Sequence, residues 1–200
     1  MKGVLDAERE TYLADDSDGP ASAPDLTDNE GSLLALVLRR QPVTAYQILK
    51  IYEQSPVSNF NTSKGKIYPL INRLAERGLL ERLSREGSER GELLRCTAAG
   101  ENAVRDWVKE LRPSHLLLED PLRTKVQSFG LLTAEEQIEW VLETKSALEA
   151  HLEKLDAYEQ EVTVPHHAHV HDNAVRSMRA RIAWLDRMLA DLVRNRRSDS

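Results

Sequence analysis

Residues 62–78, Thr-Ser-Lys-Gly-Lys-Ile-Tyr-Pro-Leu-Ile-Asn-Arg-Leu-Ala-Glu-Arg-Gly, constrain this chain more than any other stretch. Ile67, Leu70, Ile71 and Leu74 recur at i, i+3, i+4 and i+7, the spacing that gathers apolar side chains on one face of an α-helix. Lys64, Lys66, Asn72, Arg73 and Arg77 fall largely on the other faces. Gly78 supplies the residue type that most readily ends a helix. The result is a cationic amphipathic helix, able to bury one side and offer the other to an acidic groove. Proline in a helix interior costs about 3 kcal/mol and removes a hydrogen bond, so Pro69 is expected within or near the first turns.

The flanking segments decide what kind of helix this is. Upstream, Thr44 with Gln47 three residues on makes a capping box, and Ala45, Ile48, Leu49 and Tyr52 follow at helical spacing. Before them the apolar run Ser32–Leu38 predicts another short helix. Downstream of Gly78, Leu79–Leu83 and Leu93–Thr97 read as two strands of a hairpin, separated by a stretch rich in Gly, Ser and charge from Ser84 to Gly91. Helix, helix, helix, hairpin is the order of a winged helix-turn-helix, whose recognition helix enters the DNA major groove.

The net charge of −6 argues against nucleic acid until it is divided along the chain. Residues 1–29 carry −6, residues 30–112 carry +4 and residues 113–200 carry −4. Counterion release at phosphates depends on local cations, so the basic segment is the one that matters. Residues 1–29 hold Asp15-Asp16-Ser17-Asp18-Gly19-Pro20 and few apolar groups to offset the entropy of ordering them, and are expected to be a disordered acidic arm. Two roles are open for it: a passive tail, or an arm that competes with DNA for the basic face.

Four motifs resemble the PadR family of bacterial transcriptional regulators: Pro42 to Tyr46, Gly65-Lys66-Ile67-Tyr68-Pro69, Arg73 to Leu80, and Thr97-Ala98-Ala99-Gly100. The resemblance spans residues 31–112. It departs from the family at Ala45, where a glycine usually precedes the tyrosine, and at Leu94, where an aromatic is usual. It implies a mainly α fold with a small β-hairpin: an N-terminal winged helix-turn-helix, then a C-terminal antiparallel helical dimerisation domain. The expected division is an arm over 1–29, a DNA-binding domain over 30–112 and a helical dimerisation and effector domain over 113–200. The resemblance further implies a repressor released from its operator by a small aromatic or phenolic effector. It also places Tyr68 at the DNA surface with its hydroxyl toward phosphate, against the alternative of an aromatic packed beside Ile67 and Ile71.

The DNA-contact expectations are Ser63 and Lys64 at the helix start, where free backbone N–H groups favour phosphate, with Lys66, Tyr68 and Arg73 following. Arg77 is equally placed to pair with a glutamate. In the hairpin, Arg85 and Arg90 flank Gly87 and suit a narrow minor groove, although Glu81, Glu86 and Glu89 balance them as a solvated surface would. Phosphate contacts outnumber base contacts in such interfaces, so these cations are assigned to DNA without base readout.

Beyond Thr97, a cap residue, Val104, Trp107, Val108 and Leu111 predict a linking helix ending before Pro113, and Leu116–Leu118 and Leu122–Phe129 predict short helical pieces broken by Pro121. Thr133-Ala134-Glu135-Glu136 is a capping box opening a helix with Ile138, Val141, Leu148, Leu152 and Leu155 along it. A second helix is expected near Asp172, with Val175, Met178, Ile182, Leu185, Leu189 and Leu192 widened by Trp184 and Met188. Two helices alone cannot bury stripes this wide, so a homodimer is expected, presenting two recognition helices to inverted half-sites about 34–36 Å apart.

Between those helices, residues 166–171 hold four of the six histidines. In an extended segment His167, His169 and His171 would share a side, making them candidate ligands for zinc, nickel or copper. The competing reading is a polar loop that binds metal only adventitiously, and no cofactor is expected. A metal-responsive regulator using these histidines and a helical protein-interaction adaptor stand as alternatives to the repressor. The chain has no phosphate loop or glycine-rich dinucleotide turn, and Cys96 has no histidine partner in sequence, so an enzyme is not expected. No apolar run approaches the roughly 20 residues that span a bilayer and no signal peptide is evident, so the expected location is the cytoplasm, without membrane association.

Overall fold

The computed structural model describes residues 25–56, 64–84, 92–160 and 162–198. The first helix, α1, runs over Asp28–Arg40, starting four residues before the apolar run that predicted it. The cause is a second capping box. The Glu30 N–H donates to the Thr27 hydroxyl at 3.3 Å, and the Thr27 N–H donates back to the Glu30 carboxylate at 3.0 Å. The helix α2 covers Ala45–Gln54 and opens on the expected Thr44 and Gln47 box, with both reciprocal bonds formed.

The recognition helix α3 covers Lys64–Glu76, with Pro69 inside it. Pro69 has no N–H for the carbonyl of Gly65, four residues back, so the first turn and a half is held by fewer bonds than the rest. The C-terminal stop is Gly78, at φ 69°. Here the Leu79 N–H donates to the Leu74 carbonyl and the Gly78 N–H to the Ala75 carbonyl, both at 2.9 Å, the paired bonds of a Schellman stop.

The hairpin expected from sequence is part of a three-stranded antiparallel sheet. Its strands β1 (Val43–Thr44), β2 (Leu80–Leu83) and β3 (Leu93–Cys96) lie in the order β1-β3-β2, with Val43 opposite Leu94 and Leu80 opposite Cys96. A two-residue strand has no sequence periodicity to read, which is why β1 is visible only in three dimensions. Just beyond it the Gln41 side-chain carbonyl accepts the Cys96 N–H at 2.7 Å, extending the ladder by one side-chain bond.

The helix α4 (Ala98–Lys109) is capped by Thr97, whose hydroxyl accepts the Gly100 N–H at 3.0 Å and donates to the Gly78 carbonyl at 2.7 Å. One side chain thus starts a helix and ties down the end of α3. The core collects Leu33, Leu34 and Val37 of α1, Ile48 and Leu49 of α2, Ile67, Leu70, Ile71 and Leu74 of α3, with Leu79, Leu80, Leu94, Ala103 and Val104. Two glycines permit its closest approaches. A Cβ on Gly31 would lie 2.3 Å from the Trp107 ring, and one on Gly100 would lie 2.2 Å from the Leu79 carbonyl oxygen. Cys96 is buried in the same core, its thiol raised to about 11 by burial and by Glu101.

The linking helix is shorter than its apolar spacing predicted: α4 ends at Lys109, leaving Leu111 beyond it and exposed, and Val108 within it is exposed as well. A single 3-10 turn at Pro113–Leu116 and the short helix α5 (Pro121–Val126) follow. Pro121 starts α5 as well as breaking the run, because a missing N–H costs nothing at a first helical position. Asp120 caps it, accepting from the Leu122 N–H at 3.0 Å.

Two long antiparallel helices complete the fold, α6 over Ala134–Glu159 and α7 over His167–Ser198. The Thr133 and Glu136 capping box opens α6 as expected. The start of α7 corrects the sequence reading. His167, His169 and His171 lie in helix, five residues before the expected start at Asp172, so the alternation that placed all three on one side does not apply. Helical spacing instead sets His167 beside His171, rings 6.2 Å apart, while His166, in the turn before the helix at φ 62°, stacks with His169, rings 6.4 Å apart.

Candidate nucleic-acid interface

The apolar side of α3 is packed away completely: Ile67 and Leu74 are at 0% exposure and Ile71 at 2%. That burial turns the opposite side outward. Lys66 is exposed and makes no ion pair among the described residues. Tyr68 is 45% exposed. Its ring borders an open cleft of about 850 Å³ with Tyr46, Ile71, Arg82, Leu93 and Leu94. Tyr46 is 58% exposed on α2, and Lys50 sits one turn along with its ammonium 5.3 Å from the Tyr46 ring centre. Sequence reasoning left Tyr46 and Lys50 out, although their four-residue spacing on a capped helix was the available signal.

Arg77 takes the glutamate pairing that was one of its two expected places, and Arg73 shares the same partner. Glu30 of α1 is 5% exposed and receives both Arg73, Nε to Oε1 at 3.4 Å, and Arg77, Nη1 to Oε2 at 3.3 Å. Burial alone would raise the Glu30 carboxyl. The Thr27 N–H and hydroxyl, then Arg77 and Arg73, outweigh it and hold the group below its ordinary value. Arg77 also donates to the Asp25 carbonyl at 3.1 Å and is only 27% exposed, so this side chain anchors α3 to the start of the domain. Arg73 remains 58% exposed and keeps a face toward solvent. In the wing, Arg82 reaches Glu92 across the hairpin at 3.1 Å and also donates to Asn72 of α3, fixing the sheet to the recognition helix.

Four residues expected at the DNA surface have no described side chain. Ser63, Arg85 and Arg90 lie outside the described residues, and Lys64 is described only as backbone at the start of α3. The histidines do not converge on a metal: no group of three or more His, Cys, Asp or Glu side chains among the described residues is arranged to hold one. His171 instead faces carboxylates of α6, its Nε2 3.1 Å from Glu159 and 3.5 Å from Asp156.

A capped three-helix unit with a short sheet, exposing one face of its third helix and continuing into a long antiparallel helical pair, is a winged-helix fold with a helical extension. Residues 33–106 match the model of the Transcriptional regulator PadR-like family. Solved structures extend the likeness of fold over most of the chain. Bacillus subtilis PadR in complex with operator DNA is 18% identical, covering 82% of this chain and 98% of that one, with a TM-score of 0.69. The same protein in complex with p-coumaric acid is 19% identical, covering 82% and 97%, with a TM-score of 0.67. A PadR-like transcriptional regulator from Bacillus cereus is 17% identical, covering 86% and 99%, with a TM-score of 0.66. A search of curated proteins finds no match. Among the described residues no helix is long and apolar enough to cross a membrane.

Proposed function

We propose that this chain is a ligand-responsive repressor that binds an inverted-repeat operator as a homodimer, and that it is a regulator rather than an enzyme. The observation that carries this reading is the recognition helix, with its apolar face buried and Lys66, Tyr68 and the free face of Arg73 turned outward beside Tyr46. Ser63, Lys64, Lys66, Tyr68, Arg73, Arg85 and Arg90 are the proposed DNA contacts, with Arg77 reaching DNA only if it leaves Glu30. Phosphate contacts by these groups would position the helix on the duplex.

The helical pair supports the dimer. Among the described residues of the pair, Val141 and Leu155 of α6 and Val175 and Leu185 of α7 are buried, while Leu148, Leu152, Ile182, Leu189 and Leu192 stay half-buried and Leu142 is 49% exposed. Apolar surface left in this state fits a second copy laid along the hairpin. For the effector, an apolar cleft of about 550 Å³ lies at α5 and the start of α6. Phe129 and Trp140 form one wall, ring centres 5.1 Å apart and nearly perpendicular, and Lys125 stands at the rim. Two aromatic rings and one cation suit a small aromatic carboxylate, the class to which the p-coumaric acid bound by Bacillus subtilis PadR belongs.

The test is fluorescence anisotropy on DNA from upstream of the protein's own gene, with scrambled DNA as competitor and aromatic acids added in turn. Binding at about 10⁻⁸ M or tighter that scrambled DNA does not displace supports the operator reading. Affinity equal to that for scrambled DNA at every salt concentration favours the adaptor.

A further inference from the structure

The carbonyl oxygen of Pro56, two residues beyond the end of α2, lies 3.0 Å from Nε2 of His151 on α6. A carbonyl oxygen only accepts, so the ring carries a proton on Nε2 and donates it here. Proline cannot continue a helix, and the last carbonyls of a helix have no partner within it. The chain leaving α2 is thus held by a side chain of the helical pair, in a partly buried bond that joins residues 95 apart in sequence.

The place of His151 along α6 gives this bond its meaning. It stands eleven residues after Trp140. Eleven steps of about 100° return to within roughly 20° of the starting direction, about 16 Å further along the axis. Trp140, Thr144 and His151 are accordingly half-buried along one side of α6. The buried Val141 and Leu155 lie on the adjoining side, roughly 40–80° from His151. One end of the shared side walls the apolar cleft with Phe129, and the other end holds Pro56.

Beyond the bond, α2 packs Ile48 and Leu49 into the same core as Ile67, Leu70 and Ile71 of α3. It also carries Tyr46 and Lys50 on its exposed side. A close-packed core transmits displacement, so a pull at Pro56 moves α2 and α3 together. We propose that His151 is a positioning residue: it ties the end of α2 to α6, so that a shift of α6 at the cleft walled by Phe129 and Trp140 is passed to α2 and α3. The proposal rests on the effector and DNA-binding readings above, and it names the side chain that couples them.

Two measurements on the full chain test it, and neither needs DNA or ligand. The first follows amide hydrogen exchange by NMR in the wild-type protein, His151→Ala and His151→Gln. His151→Ala should speed exchange in the last turn of α2 about 3–10-fold, the range that one hydrogen bond supports, and leave α6 and α7 unchanged. His151→Gln, whose amide can still donate, should recover part of the protection. Unchanged exchange in α2 would overturn the proposal. So would exchange that rises equally along α6 and α7, because His151 would then only support the helical pair.

The second tests transmission. Trp140→Phe alters the cleft wall while keeping an aromatic ring beside Phe129, and Phe129→Leu serves as a second cleft variant. Each is expected to shift α2 amide resonances in the wild-type background and to leave them in place in the His151→Ala background. Equal shifts in both backgrounds, or none in either, would overturn the route, since coupling that survives without His151 runs elsewhere. Shifts that depend on His151 in a protein that binds no duplex would uphold the latch and sink the DNA-binding reading instead.

Discussion

Glu30 is the residue with the most partners at the junction of α1 and α3, serving the capping box of α1 and the two arginines of α3 at once. Replacing it with Ala removes a cap and leaves Arg77 without its carboxylate, so Glu30→Ala is expected to cost about 1–3 kcal/mol in urea unfolding. The sign with pH follows from its depressed folded value. A carboxyl held below its unfolded value of about 4.3 stabilises the fold fully above that pH and loses the contribution as pH falls through the folded value. The gap between wild type and Glu30→Ala should therefore narrow below about pH 4, and a constant gap would show that the carboxylate charge is not what stabilises. Gly31→Ala is expected to destabilise by about 1–3 kcal/mol although alanine is the better helix former, because its Cβ overlaps Trp107. Thermal melts of Gly31→Ala in wild-type and Trp107→Leu backgrounds check the cause: the glycine change should cost less once the indole is gone.

At the scale of elements, capped starts and glycine stops were legible because each is a short local rule. Thr44, Thr97 and Thr133 cap as their spacing indicated, and Gly78 stops α3. The cap at Thr27 was equally local but was hidden behind the apolar run that follows it. The pairing of β1 was not legible, since two residues carry no periodicity and Val43 is drawn into the sheet by Leu94, far away in sequence. The helical state of His167–His171 escaped for the opposite reason: histidine has only middling helix propensity, and carboxylates on α6 face the segment across the hairpin. Tyr68 and Arg77 were open in sequence because one spacing fits either a packed or an exposed place; the fold leaves Tyr68 45% exposed and pairs Arg77 with Glu30. Lys66→Ala is the prediction for this scale. It should weaken operator and scrambled DNA by a similar factor and reduce the slope of log K against log salt by about 1 for each phosphate left without its lysine. An unchanged slope would take Lys66 out of the interface.

For the whole molecule, the proposed dimer rests on the helical pair, whose leucines stay half-covered. Leu142→Glu sets a charge on the exposed side of α6 and is expected to shift sedimentation velocity from dimer toward monomer at micromolar concentration. It should also weaken operator binding at least ~10-fold, since two half-sites would no longer be engaged by one tethered unit. Retention of a dimer would move the interface elsewhere on the hairpin.

The first turn of α1 also joins distant parts of the chain. Asp28 accepts from the Trp107 indole at 3.3 Å and faces His115 at 3.1 Å, with hydrogen bonds from both and nearby Arg112 holding its carboxyl below the ordinary value. Two residues on, Glu30 grips α3. The connector after α4 and the helix α3 are thus fastened to opposite sides of a single helical turn, which acts as a short crank. A tilt of the connector by a few degrees has a stiff route to the reading helix that bypasses the apolar core, and each half of a dimer would carry its own.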